Sequence, residues 1–250
     1  MVSRAIVRHI PDSYSACISS HPFHKSLNLQ LARDQHSNYV HTLRELGLDV
    51  IVLPPLQDFP DSCFVEDTAI IHKSKAVITR TGALSRRGEG QSIADVLQEF
   101  FAISFITETA TIEGGDVVHF PDFLISGLSQ RTNHEGVTQS SSFLGVPIRT
   151  VSDNSIVHLK SYISSLDDHT VLTSVAYASH PALEGLSKIL ISAKELYASN
   201  ALAINGTIII ADGFPMTEKI LKEHGFDTIK LETSEIQKCD GALTCLSLLF

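Results

Sequence analysis

The chain has 250 residues, 43% of them hydrophobic and 19% charged, enough to bury a sizeable core without covalent staples. Its net charge of −9, from 28 acids against 19 bases, leaves no basic footprint for generic binding to nucleic acid or an anionic membrane. No apolar run approaches the roughly 18 residues of a membrane helix, and Met1 to Arg8 is too short and too charged for a signal peptide.

Short strand-like runs alternate with helical ones along the chain, with no composition shift that would split it. Residues 1–250 therefore read as a single catalytic domain. Ala5-Ile6-Val7 predicts a strand, and the Ser- and His-rich stretch from Pro11 to Ser26 predicts an exposed loop. Leu29, Ala32, His36, Tyr39, Val40, Leu43 and Leu46 keep helical spacing, and Gly47 follows where a helix commonly ends. Val50 to Leu53 is a strand stopped by Pro54-Pro55. Ala69–Ile71 and Ala76–Thr79 predict a hairpin. Ser92 is placed to cap a helix burying Ile93, Val96, Leu97, Phe100 and Phe101. A second hairpin pairs Val117-Val118 with Phe123 to Ile125, and Thr132 to Glu135 matches a capping box for a helix reaching Leu144. Strands follow at 148–151, 158–163, 171–173, 189–191, 201–204 and 208–210. Pro215 opens a helix ending near Gly225, and 243–248 is a last strand. The rhythm of strand, hairpin, helix and strand returns every roughly 40–50 residues, which hints at structural repeats.

The four cysteines Cys17, Cys63, Cys239 and Cys245 show no CxxC or other paired ligand spacing. Reduced thiols in a cytoplasmic protein are expected, with neither a disulfide framework nor a metal site. Four islands carry possible chemistry. Asp61, Glu66 and Asp67 place three carboxylates within seven residues beside Phe64 and Val65; buried, they need a cationic ligand or a buried Arg. Glu113-Gly114-Gly115-Asp116 sets two glycines between acids, either an ordinary turn or a close backbone approach. His158 lies in an apolar run. Cys245 follows Asp240-Gly241; it is either a small core hydrophobe or a nucleophile that needs a His and a group to orient that His.

Together these islands resemble the dimethylarginine dimethylaminohydrolase family of the guanidino-modifying superfamily. The shared wording runs Phe-Pro-Asp-Ser-x-Phe-Val-Glu-Asp from Phe59 and Ile-Thr-Arg-x-Gly-Ala-x-Ser-Arg-Arg-Gly-Glu from Ile78. Arg-Thr-Asn-x-x-Gly follows from Arg131, His-Leu-Lys from His158, and Asp-Gly-x-Leu-Thr-Cys from Asp240. The resemblance implies an α/β fold, a five-bladed pseudosymmetric propeller (pentein) with its site in the central channel. It implies Cys245 as nucleophile on a guanidinium carbon, His158 as general acid and then base, and Glu113 as the group that orients His158. Asp61, Glu66 and Asp67 become the acidic wall for a guanidinium, with Asp240 beside the nucleophile. Arg80 and Arg131 become the grip on an α-carboxylate, with Phe64 lining the pocket. Residues Asp12 to Lys25 match a mobile lid carrying Ile18 toward the substrate; Cys17, His21 and His24 depart from the family's pattern there.

The implied reaction converts Nω-methylated arginine to citrulline and a methylamine through a covalent thiouronium, with no cofactor. The implied partner is a small cationic guanidino substrate, with no nucleic acid or membrane and with a homodimer admissible. An arginine deiminase, an amidinotransferase, a binding protein without chemistry and a Cys–His peptidase are the alternatives. The first two are usually longer, the third would lack the Cys, His or Glu, and the fourth leaves the three carboxylates without a role.

Overall fold

The computed structural model describes Met1–Phe250. Strand β1 (Arg4–Arg8) buries Ala5, Ile6 and Val7 completely, so it is covered on both faces. It runs parallel to β2 (Asp49–Leu53) after a crossover through helix α1 (Leu29–Glu45). The same unit then repeats. Hairpin β3 (Ala69–His72) and β4 (Lys75–Ile78) leads through α2 (Gln91–Leu97) to β5 (Ala102–Phe105). Hairpin β6 (Val117–His119) and β7 (Leu124–Leu128) leads through α3 (His134–Leu144) to β8 (Ile148–Ser152). Strands β9 (Ile163–Ser165), β10 (Thr170–Ser174) and β11 (Ser187–Ile191) form a unit whose crossover holds only the 3-10 turn Pro181–Leu183. Strands β12 (Leu202–Ile204) and β13 (Thr207–Ala211) lead through α4 (Pro215–Glu223) to β14 (Asp227–Leu231). After the short α5 (Ser234–Gln237), β15 (Leu248–Leu249) pairs antiparallel with β1.

The result is five three-stranded mixed sheets, the blades of a pentein α/β propeller. The middle strands are buried on both faces, some as apolar runs such as Ile208-Ile209-Ile210 and β10 with Thr173 and Ser174 buried too, which suits a strand flanked on either side by another. One blade is split: its first strand, β15, comes from the end of the chain and its other two from the beginning. The first strands start at Ala69, Val117, Ile163, Leu202 and Leu248, the expected rhythm of roughly 40–50 residues. No helix is long and apolar enough to cross a membrane.

Several local expectations need correction. Ser92 caps nothing; it lies inside α2, and its Oγ accepts a 2.7 Å bond from the buried Arg8. The cap of α3 is Asn133, whose side chain accepts from Gly136 N, while Thr132 Oγ1 instead accepts from Glu113 N. Residues 158–163 and 243–248 are not whole strands. A 3-10 turn precedes each short strand, at Leu159–Ser161 and Thr244–Leu246. The outer strands β5 and β14 escape a pattern reading because their half-exposed residues blur the apolar signal. The stretch 11–26 is only partly exposed, since Tyr14 is fully buried. Nor are all thiols free: Cys17 and Cys239 form a disulfide with Cα atoms 5.8 Å apart, although 222 residues separate them. That separation leaves no local spacing to read.

Candidate active site

A 3-10 turn enters the first strand of every blade. These are Val65–Thr68, Gly114–Asp116, Leu159–Ser161, Ala193–Ser199 and Thr244–Leu246. The first packs against the second and the last, and the second packs against the third. Convergence of these turns gathers residues from four blades at the ring's centre. Glu66 and Asp67 sit within the first turn, Glu113 and His158 immediately before the second and third, and Cys245 within the last.

His158 Nε2 lies 2.6 Å from Glu113 Oε2 and 3.6 Å from Asp67 Oδ1. Glu113 is held from behind, its Oε1 accepting from Gly82 N at 2.8 Å. Burial opposes the imidazolium, but Asp67 nearby and the Glu113 hydrogen bond outweigh it and push His158 up to about 10. The ring is therefore protonated at neutral pH, the state of a proton donor.

Asp67 is itself fixed on both oxygens. Oδ1 accepts from Gly115 N at 3.0 Å, and Oδ2 accepts from Arg86 Nη1. Burial acts to raise Asp67, yet His158 and Arg86 hold it below the usual carboxylate range. Arg86 also donates to both Glu89 oxygens and to the Phe64 carbonyl. Arg86 is thus the buried cation that part of the acidic wall requires. Glu66 has its own partners: Lys160 Nζ at 2.6 Å and Thr244 Oγ1 at 2.8 Å. Asn200 donates to Thr244 Oγ1 and accepts from Thr244 N, locking the turn that carries Cys245.

Cys245 is a free, half-buried thiol. Burial, then the charges of Glu66 and Asp67, push its thiol far up, so it rests protonated. Asp61 stands apart from the ion pairs. Its carboxylate accepts from Ile18 N at 3.1 Å, and burial raises it while Arg86, that backbone bond and Arg131 oppose the rise. Asp240, at φ +53°, accepts from Ser20 N and Oγ at 2.6 and 2.9 Å. The segment 12–25, the expected lid, thus bonds to both carboxylates, with the Ile18 side chain exposed. Phe64 is buried edge-to-face with Tyr14, and Arg80 pairs with Glu108 at the surface. The half-buried Arg131 reaches Asp61 only through its charge.

The two glycines of the second island are a close approach rather than a loose turn. A Cβ on Gly114 would overlap the Glu66 carbonyl, and one on Gly115 would fall 2.7 Å from His158 Nδ1. Gly114→Ala is expected to lower stability by about 1–3 kcal/mol through overpacking, read as a shift in the urea midpoint. A midpoint equal to wild type would show that the turn yields freely.

Pattern reading gave no role to Arg86, Glu89 or Lys160, and none to Asp116 although it stood in the second island. Arg86 and Glu89 stand three residues apart, a pairing signal in itself. Asp116 accepts from Leu159 N and Ser129 Oγ, which anchors the His158 turn; burial lifts it to about 6. Asp67, Glu113 and His158 also present metal-type ligand atoms within 4.8 Å of one another, but Arg86 and the His158 proton already balance that charge. A softer cluster, Cys17, His24 and Cys239, meets under the lid.

Comparison with known proteins shows the family. A family model described as N,N dimethylarginine dimethylhydrolase, eukaryotic, matches residues 18–178. The Pseudomonas aeruginosa N(G),N(G)-dimethylarginine dimethylaminohydrolase is 35% identical over 224 residues, 88% of either chain. Its namesake from Streptomyces coelicolor is 30% identical over 98% of this chain and 95% of its own. A solved structure of the Pseudomonas aeruginosa protein, a cysteine-to-serine variant complexed with citrulline, superposes with a TM-score of 0.96 at 32% identity over the whole of both chains. Likeness of this extent reaches every blade and every converging turn, and the chain belongs to the dimethylarginine dimethylaminohydrolase family.

Proposed function

We propose that the chain, acting as one catalytic domain over residues 1–250, hydrolyses Nω-methylated arginine to citrulline and a methylamine. One observation carries the reading. The His158 imidazole is fixed 2.6 Å from Glu113 in the same cluster of turns as the free thiol of Cys245. A guanidinium carbon is a poor electrophile and an amine a poor leaving group, so the reaction needs both a strong nucleophile and a proton donor.

Cys245 is the nucleophile in this scheme. Its thiol is held up by Glu66 and Asp67, and a bound guanidinium opposes the same charges. Substrate binding therefore favours the thiolate, whose proton leaves to solvent as the cationic guanidinium enters, and the thiolate is returned at the end of the cycle. The thiolate forms a bond to the guanidinium carbon, and His158 gives its proton to the departing methylamine. The remaining S-alkylthiouronium is attacked by water, whose proton returns to His158. Collapse releases citrulline and restores the thiolate. Glu113 keeps the ring oriented throughout and favours its charged form whenever it holds the proton. Asp61, Asp67 and Asp240 receive the cationic end, with Glu66 behind them. Arg80 and Arg131 take the α-carboxylate, while Phe64 and Ile18 bound the pocket.

Citrulline release from asymmetric dimethylarginine and from free arginine, measured side by side on the purified chain, tests the reading. Faster turnover of the methylated substrate is expected, by about 10–200-fold, the range that one apolar group in a pocket supplies. Turnover of arginine alone would make the chain a deiminase, and citrulline from neither would overturn the reaction.

A further inference from the structure

We propose that Cys17, His24 and Cys239, once their disulfide is reduced, form a zinc site that holds the lid shut over the catalytic cleft. Their ligand atoms all lie within 4.8 Å of one another, and His24 Nε2 is 3.4 Å from Cys17 Sγ. Cys17 and Cys239 are buried and His24 is half-buried. Two thiolates and an imidazole are the donor set that zinc prefers, and they discriminate against calcium and magnesium. With Zn–S near 2.3 Å, tetrahedral coordination places the two sulfurs ~3.8 Å apart. Cα atoms 5.8 Å apart accommodate either that spacing or a disulfide.

The chemistry closes without further components than a dithiol and zinc. A dithiol passes two electrons and two protons to the Cys17–Cys239 bond, giving two thiols and its own disulfide. Zn²⁺ then displaces both thiol protons, and neutral His24 supplies the third donor through a ring nitrogen. The metal joins two segments that, once the disulfide is reduced, meet through hydrogen bonds and the apolar packing of Tyr14 and Cys17 with Ile236 and Leu243. Cys17 and His24 belong to the lid; Cys239 belongs to the segment leading to Cys245. Beside the cluster, Ile18 N donates to Asp61, Ser19 Oγ to the Lys238 carbonyl, and Ser20 N and Oγ to Asp240. A lid that opens for substrate must break these bonds, and coordination across Cys17 and Cys239 opposes every one of them. Oxidised and zinc-bound chains are thus both closed, and only the reduced, metal-free chain opens readily.

The test begins with chain reduced by a phosphine and stripped of metal, then dialysed after addition of equimolar zinc chloride. One zinc per chain is expected to remain. Cobalt(II) in its place is expected to show a thiolate charge-transfer band with the intensity of two sulfurs. Cys17→Ser, Cys239→Ser and His24→Ala are each expected to weaken zinc by at least about a hundredfold, since losing even an outer partner of a ligand costs 10–100-fold. Cys245→Ser is expected to retain it. Lid closure is read separately: trypsin cleavage after the exposed Lys25 should slow with zinc in the wild type but not in Cys239→Ser. No retained zinc would overturn the site, as would zinc lost in Cys245→Ser but kept in Cys17→Ser, which would place the metal at the nucleophile. Zinc retention with unchanged cleavage at Lys25 would overturn the clamp.

Discussion

Cys245→Ser is expected to lower citrulline formation by at least about 10³-fold while leaving the chain folded. The substitution exchanges one atom in a half-buried turn. That turn is held by Thr244, which bonds to Glu66 and Asn200 through groups the variant keeps. Chemistry is where the loss falls. Burial and two carboxylates already oppose the thiolate. A serine hydroxyl ionises far less readily, and nothing in the site is placed to take its proton, because His158 is held in its protonated form by Asp67 and Glu113. Mass spectrometry gives a second readout. Wild-type chain quenched during turnover should carry the thiouronium mass on Cys245, and the variant none. Activity within tenfold of wild type would remove Cys245 from the nucleophile's role.

Arg86→Met is expected to cost about 3–5 kcal/mol of stability at neutral pH, because it strands two buried carboxylates. Arg86 is 6% exposed, Asp67 2% and Glu89 1%, so water cannot take over its role. The pH dependence distinguishes this cause from simple loss of packing. In the wild type Asp67 sits below its ordinary value, so its contribution is present at neutrality and lost as pH falls through that lowered value. Glu89, lifted by burial to about 7 even with Arg86 present, behaves in the opposite sense. Without the guanidinium both carboxyls rise. The folded state then binds more protons than the unfolded one, and acidification from neutrality toward about pH 5 returns part of the lost stability. Urea midpoints at the two pH values measure this. An unchanged midpoint at neutrality, or a deficit that deepens in acid, would refute the account.

Legibility in the sequence followed how local each signal was. The hairpins at β3–β4 and β6–β7 and the spacing of α1 are short-range patterns, and they read correctly. The site announced itself through clusters: Asp61 to Asp67 and Glu113 to Asp116 concentrate carboxylates and glycine in few residues. His158 carries no such cluster, and its function rests on Glu113, 45 residues away. Arg86 hid in a run of charged residues that resembles a solvated turn, although with Arg8 it is one of two buried arginines. The disulfide was beyond any pattern, since folding alone brings Cys17 to Cys239.

The split blade has a consequence for how the chain becomes active. Four blades are assembled from contiguous stretches, and their strand pairings close short loops. The fifth needs Ala5 against Leu249 and Ile6 against Leu248, a closure across nearly the whole sequence. Closures that long carry the largest entropic cost and form late. Cys245 stands in the turn just before β15, so the proposed nucleophile is seated by the same pairing that shuts the ring. Pairing within the four contiguous blades alone would leave Cys245 without the β1–β15 pairing that follows its turn. In the proposed scheme turnover therefore requires the completed ring, so refolding followed by citrulline release should lag behind refolding followed by the recovery of helix.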